Sequence, residues 1–224
     1  MPPSASTVVL VPVLRRPGRV EALARSLSEN TPEPHRLLFL ATSDDAPTLA
    51  AIADAGADVL TIPPQVRGDY AAKINHGYRN SSEPFLFLGA DDLRFHPGWL
   101  SAALDAMDDP RIGVVGTQDL APTPRAQAGT HATHFLVRRS YADELGTIDR
   151  RGEILHPGYW HEYVDDELIA TARHRNAWTF APTSVVEHLH PSWGKSEMDD
   201  LYANQTARMR YGRVLFARRR RLWR

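Results

Sequence analysis

The chain has 224 residues, 42% apolar and 24% charged, with a net charge of −1, which suits one α/β domain and excludes a disordered chain. It contains no cysteine, so disulfides and thiolate metal sites are excluded and any metal must take oxygen and imidazole ligands. No apolar run approaches the roughly 18 residues of a membrane span, and Met1-Pro2-Pro3-Ser4-Ala5 lacks the regions of a secretory leader, so a cytoplasmic protein is expected.

Val8-Val9-Leu10-Val11-Pro12-Val13 is an unbroken apolar run, the pattern of a strand buried on both faces of a parallel sheet. Pro17 opens a helical pattern with Val20, Leu23, Ala24 and Leu27 on one face, and Asn30 ends it. Leu37-Leu38-Phe39-Leu40 is a second buried strand that runs into Ser43-Asp44-Asp45, and Pro47 starts a helix that stops at Gly56. Asp58 to Ile62 reads as a third strand and 69–79 as a helix. Phe85-Leu86-Phe87-Leu88 is a fourth strand, ending at Gly89-Ala90-Asp91-Asp92. This β-α-β-α-β-α-β alternation predicts a parallel sheet flanked by helices, with ligands at the carboxyl ends of its strands. Three of those ends carry polar residues: Arg15-Arg16, Ser43-Asp44-Asp45 and Asp91-Asp92.

The second half is more mixed. A helix opens at Pro97, and Ile112 to Gly116 reads as a strand. Residues 119–131, rich in Pro, Ala and Gly, read as a loop over the sheet end. Phe135-Leu136-Val137 is another strand, and 163–175 a helix with Val164, Leu168 and Ala172 inward. Two strand-like pieces, Trp178 to Ala181 and Ser184 to His190, precede Pro191 and a last helix that is amphipathic and basic. No repeat or linker divides the chain, so residues 1–207 are expected to form a single domain and 208–224 a basic C-terminal tail. That tail holds eight arginines and no acid, so its charge masks a body at −9 within a chain at −1. Such a tail is either a solvated helix end or a contact for something anionic.

The chemistry-bearing residues fall in three settings. Asp91 and Asp92 follow an apolar strand directly; adjacent carboxylates repel, and a pair kept ionised calls for a cation such as Mg2+ or Mn2+. A helix N-cap is the plain structural alternative. His188 and His190 alternate along a strand and so share a face, where either can complete a metal shell or serve as a core histidine. Asp165-Asp166-Glu167 opens a helix, whose dipole accounts for one carboxylate. The others leave a candidate base for deprotonating a hydroxyl. Just before them, Tyr159, Trp160 and His161 suit either stacking on a sugar or a packed loop.

In order and spacing, Val11-Pro12-Val13, Ser43-Asp44-Asp45, Lys73-Ile74-Asn75-His76-Gly77, Gly89-Ala90-Asp91-Asp92 and Val164-Asp165-Asp166-Glu167-Leu168 resemble the GT-A family 2 glycosyltransferases over most of residues 7–190. The resemblance implies a GT-A, Rossmann-like sheet and transfer of a sugar from a nucleoside diphosphate sugar to an acceptor hydroxyl. It implies that Pro12, Arg15 and Asp44 or Asp45 flank the base, and that Lys73 and Asn75 approach the nucleotide or diphosphate. Asp91 with Asp92 would bind Mn2+ or Mg2+, with His188 or His190 as a further ligand, and Asp165 or Asp166 would be the base of an inverting reaction. UDP is the favoured nucleotide because it is the commonest in such families. The first acid of the family's Asp-x-Asp is Gly89 here, a departure that weakens the expected metal site. The acceptor is left open; through the arginine-rich tail an anionic one, such as DNA, a membrane surface or a virion component, comes into view.

Two other readings stand beside this one. A nucleotidyltransferase also uses a carboxylate-bound metal on a Rossmann-like sheet, but residues 12–19 carry only Gly18 where its glycine-rich phosphate loop belongs. A non-catalytic module binding nucleotide or nucleic acid leaves the acids at the strand ends unexplained.

Overall fold

Seven elements alternate from the N-terminus: β1 (Thr7–Pro12), α1 (Pro17–Asn30), β2 (His35–Thr42), α2 (Ala46–Asp54), β3 (Asp58–Ile62), α3 (Tyr70–Arg79) and β4 (Phe85–Leu88). The computed structural model describes residues 6–65, 69–203 and 205–224; Met1 to Ala5, on which the leader reading rests, lie outside them. Every residue of β1 is buried, as its unbroken apolar run requires. Val8 and Leu10 face one core layer with α3, while Val9 and Val11 face the other with α1 and α2.

The second half comprises β5 (Leu93–Phe95), α4 (Trp99–Asp105), β6 (Val114–Gln118), α5 (Pro124–Gln127), β7 (Phe135–Arg138), α6 (Arg139–Leu145), α7 (Val164–His174), β8 (Trp178–His188), α8 (Asp200–Ala203) and α9 (Gln205–Arg219). The eight strands form one mixed sheet in the order β3-β2-β1-β4-β7-β6-β8-β5. β3, β2, β1 and β4 run parallel. β7 is antiparallel to both β4 and β6, and β5 pairs antiparallel with β8. With helices on both faces this is the expected α/β, GT-A-like architecture.

Four local expectations change. The two pieces expected across 178–190 are one strand, β8, with a bulge where its pairing to β6 jumps from Ala181 to Val185. Pro182 within that jump cannot donate to the ladder, and the bulge is how the strand tolerates it. His190 therefore lies beyond β8, at the cap of a short 3-10 turn, where its Nδ1 accepts from Ser192 N at 3.1 Å. The loop expected at 119–131 contains the helical turn α5, capped by Thr123, whose hydroxyl accepts from Ala126 N. Neither the three-residue β5 nor α6 has a counterpart in the reading of the sequence.

The last helix is two-faced in a mixed way. Its inner side lies on the domain: Tyr211 stacks on Trp160 at 4.1 Å, and Leu215 and Phe216 pack against the core. Arg219 pairs with Glu167 and Asp149, and the Trp223 indole donates to Thr171. Gly212 is the close-approach point. A Cβ there would sit 2.4 Å from the Glu162 carbonyl oxygen, a backbone atom that cannot swing away. Among the described residues no helix is long and apolar enough to cross a membrane.

Gly212→Ala should therefore lift α9 from its bed at a cost of about 1–3 kcal/mol. A lower urea midpoint together with faster tryptic cleavage in 213–224 is expected; an unchanged cleavage rate would show that the contact does not hold the helix.

Candidate active site

β1 and β4 end side by side, and Gly89 N donates to Leu10 O at 2.9 Å across that end. The chain then turns so that Asp91 and Asp92 are 7% and 3% exposed. They border a cavity of about 280 Å³ whose wall also includes Pro12, Lys73, Asp165, His188 and His190. Arg16, from the turn after β1, donates to Asp91 Oδ1 at 2.8 Å and lies 3.7 Å from Asp92. Its other nitrogen meets Asp199 at 2.7 Å, and its guanidinium rests 5.0 Å over the Tyr202 ring. The Tyr202 hydroxyl donates to Asp92, and His188 Nε2 is 3.4 Å from Asp92 Oδ1.

Burial pushes the Asp91 carboxyl well up, with the neighbouring charge on Asp92 adding to it and Arg16 opposing. Burial acts on Asp92 in the same direction, but His188, Tyr202 and His134 outweigh it and hold that carboxyl well below the usual range. The negative charge thus concentrates on Asp92. His134 behind it is pushed down to about 3 by burial, then by His188, and stays neutral.

The fit of a divalent cation can be judged from these groups. Two carboxylates and an imidazole form a donor set suited to Mg2+ or Mn2+. Asp92 Oδ1 and His188 Nδ1 are buried without a hydrogen-bond partner, as expected of groups reserved for another ligand. Among the described residues, the trio of metal-capable side chains whose ligand atoms all lie within 4.8 Å of one another is instead His131, Asp165 and Asp166. Gly89 offers no third carboxylate, and a Cβ there would be a tight fit at 3.1 Å from Leu10 O.

Asp165 and Asp166 open α7, preceded by Tyr163 in the left-handed region at φ 70°. Asp165 lines the cavity. Its carboxyl is pushed up to about 7, first by burial and then by Asp166, against backbone hydrogen bonds that lower it. His131 Nε2 is 3.4 Å away. Asp166 instead pairs with Arg125 at 2.8 Å. Glu167, the third acid, is structural: it accepts from Tyr159 and Arg219.

The remaining predicted residues lie elsewhere or are engaged. Lys73 is fully buried, and its ammonium donates to Val13 O at 2.6 Å and pairs with Asp69 at 2.7 Å, which ties α3 to the end of β1 beneath the cavity. Asn75, expected at the nucleotide, does not reach the cavity; it accepts from Ile154 N and Leu155 N and donates to Leu155 O at 2.7 Å. Asp45 is likewise a backbone brace, accepting from Arg15 N at 2.6 Å and capping α2 through Thr48 N. Arg15 points outward and meets Asp44 only at 3.8 Å. Of the aromatic run, Tyr159 and Trp160 serve packing, and His161 alone borders the cavity. Residues that sequence reasoning did not single out are His131, His134, Asp199 and Tyr202. Arg16 had a signal, as half of the Arg15-Arg16 pair at a strand end.

The sequence matches the family described as Glycosyl transferase family 2 over residues 8–161. No curated protein sequence matches it. Among solved structures it is similar to glucosyl-3-phosphoglycerate synthase from Mycobacterium tuberculosis, in complex with Mn2+, UDP and glucosyl-3-phosphoglycerate: 15% identity, TM-score 0.64, 96% of this chain and 80% of that one. A mannosyltransferase from Pyrobaculum calidifontis, in complex with GDP-Man and Mn2+, shares 13% identity at a TM-score of 0.63 over 96% of this chain and 75% of its own. At these identities the likeness is one of fold.

Asn75→Ala removes three hydrogen bonds from a buried clamp, leaving two backbone N–H groups unpaired, and should cost about 2–4 kcal/mol of stability. Donor affinity of the folded fraction should not change; a specific loss of nucleotide binding at unchanged stability would return Asn75 to the ligand.

Proposed function

The chain belongs to glycosyl transferase family 2, and on that premise we propose that it moves a sugar from a nucleoside diphosphate sugar to an acceptor hydroxyl with inversion, Asp165 serving as base. It is an enzyme, a GT-A glycosyltransferase. One observation carries the finer reading: a single cavity is bordered both by the Asp91, Asp92 and His188 set and by a separate carboxyl, Asp165, which lies 3.4 Å from His131. A divalent ion, Mn2+ or Mg2+, held by Asp91, Asp92 and His188 would neutralise charge growing on the leaving diphosphate.

The chain's own residues divide the rest. Pro12 and Val13 at the end of β1 border the donor end of the cavity, with Lys73 fixing that backbone from below. Asp165, ionised, accepts the acceptor's proton as its oxygen bonds to the anomeric carbon and the bond to the diphosphate breaks. His131, 3.4 Å from Asp165, orients the carboxylate. Arg16 donates to Asp91 and to Asp199 and so fixes the Asp91 carboxyl at the cavity wall. UDP is the preferred nucleotide; the two similar structures named above hold UDP and GDP-mannose with Mn2+, which supports a nucleotide donor without choosing between them.

A panel of UDP-, GDP-, TDP- and CDP-sugars tested by thermal unfolding with and without Mn2+ identifies the donor. A ligand at about 100 times its dissociation constant adds roughly 2.7 kcal/mol, and that gain should need Mn2+ and vanish in Asp91→Asn. No stabilisation by any member would favour a binding module.

The base makes a separate prediction. Asp165 works only when ionised, and its carboxyl is raised to about 7, so kcat/KM should climb as pH rises through about 7. Asp166→Asn removes a like charge and should move that limb to lower pH, while Asp165→Asn should cost about 10²–10⁴-fold. A limb that stays in place in Asp166→Asn and survives in Asp165→Asn would assign it to another group.

A further inference from the structure

The catalytic reading leaves six arginines of the C-terminal segment unused: Arg210, Arg213, Arg218, Arg220, Arg221 and Arg224. All are exposed, and none has a carboxylate partner among the described residues. Arg208 and Arg219 behave oppositely and turn inward, to Glu162 and Glu167. The exposed positions 210, 213, 214, 217, 218 and 221 recur at three- and four-residue steps, so they form one face of α9 and its C-terminal turn. Met209 and Val214 stand among them, 43% and 44% exposed. The opposite face is fixed to the domain by Tyr211, Gly212, Leu215 and Phe216. The helix is therefore not a loose arm but a rigidly mounted basic plate on a body whose net charge is −9 when the tail is set aside.

We propose that this outer face docks the enzyme on the surface of an anionic lipid bilayer. Charge complementarity draws the arginines to the acidic headgroups, and Met209 and Val214 enter the headgroup boundary between them. A nucleic acid would satisfy the arginines as well, but its phosphates offer nothing to two exposed apolar side chains; a headgroup layer accommodates both. The inner face of the same helix supplies Gln205 and Arg208 to the cavity wall. A membrane on the outer face then lies about one helix diameter, roughly 10 Å, from the cavity. The inference is independent of the transfer chemistry.

The test is co-sedimentation of the full chain with vesicles of phosphatidylcholine alone or with phosphatidylglycerol added. Binding should require phosphatidylglycerol and fade with salt. Arg210→Glu/Arg213→Glu/Arg218→Glu should lower the partition coefficient about a hundredfold, with an unchanged circular dichroism spectrum and melting midpoint. Met209→Ser/Val214→Ser, which leaves every charge in place, should lose a smaller, salt-insensitive share, and it serves as the test if the charge variant fails to fold. Equal binding to neutral vesicles, no binding to anionic ones, or full retention by both variants would overturn the proposal. So would tighter binding to duplex DNA than to anionic vesicles at the same salt, which would make the plate a nucleic-acid surface.

Discussion

Two carboxylates on consecutive residues, both almost sealed from water at the end of β4, set the terms for everything around them. Ions in such a place need compensation within hydrogen-bond reach, because solvent cannot supply it. The fold answers from three directions: Arg16 from the β1 turn, His188 from β8 and Tyr202 from α8, while Asp199 fixes the far side of the Arg16 guanidinium. The segment after β8 is thereby drawn over the sheet end. The guanidinium is the common tie: it pairs with Asp91 and with Asp199 and rests over the Tyr202 ring.

The parallel half of the molecule was legible because its signals are local. An apolar run with no polar interruption can only be a strand covered on both sides, and the proline, asparagine and glycine stops between runs gave the helices their ends. What escaped was either too short or set by partners distant in sequence. β5 has three residues and exists because β8 is there to pair with it. α6 starts straight from β7 with no side-chain cap, so nothing marks its beginning. β8 reads as two pieces because Pro182 interrupts the pattern, and only the three-dimensional bulge joins them.

The site shows the same division. Asp91, Asp92, His188 and Asp165 converge as their strand and helix ends suggested. Residue type did not distinguish residues on the cavity wall from backbone braces, however. Asn75 and Asp45 look like donor contacts in one dimension, yet each satisfies buried backbone groups, a demand that becomes visible only once the 154–155 loop and the β1 turn have coordinates. His131 and Tyr202 show the converse, ordinary residues in a loop and in the short helix α8 that the fold carries into the most charged part of the molecule.

The pairing of Arg219 with Glu167 joins the last helix to the one that presents Asp165. Glu167 sits two positions along α7 from that carboxyl, so whatever shifts one end of the brace also shifts the other. For anyone evolving the enzyme toward a new acceptor, positions 211 to 223 are thus not a neutral handle. Changes on their inner side will shift the start of α7, and Asp165 with it, while the outward positions form the region that can be diversified without disturbing that brace.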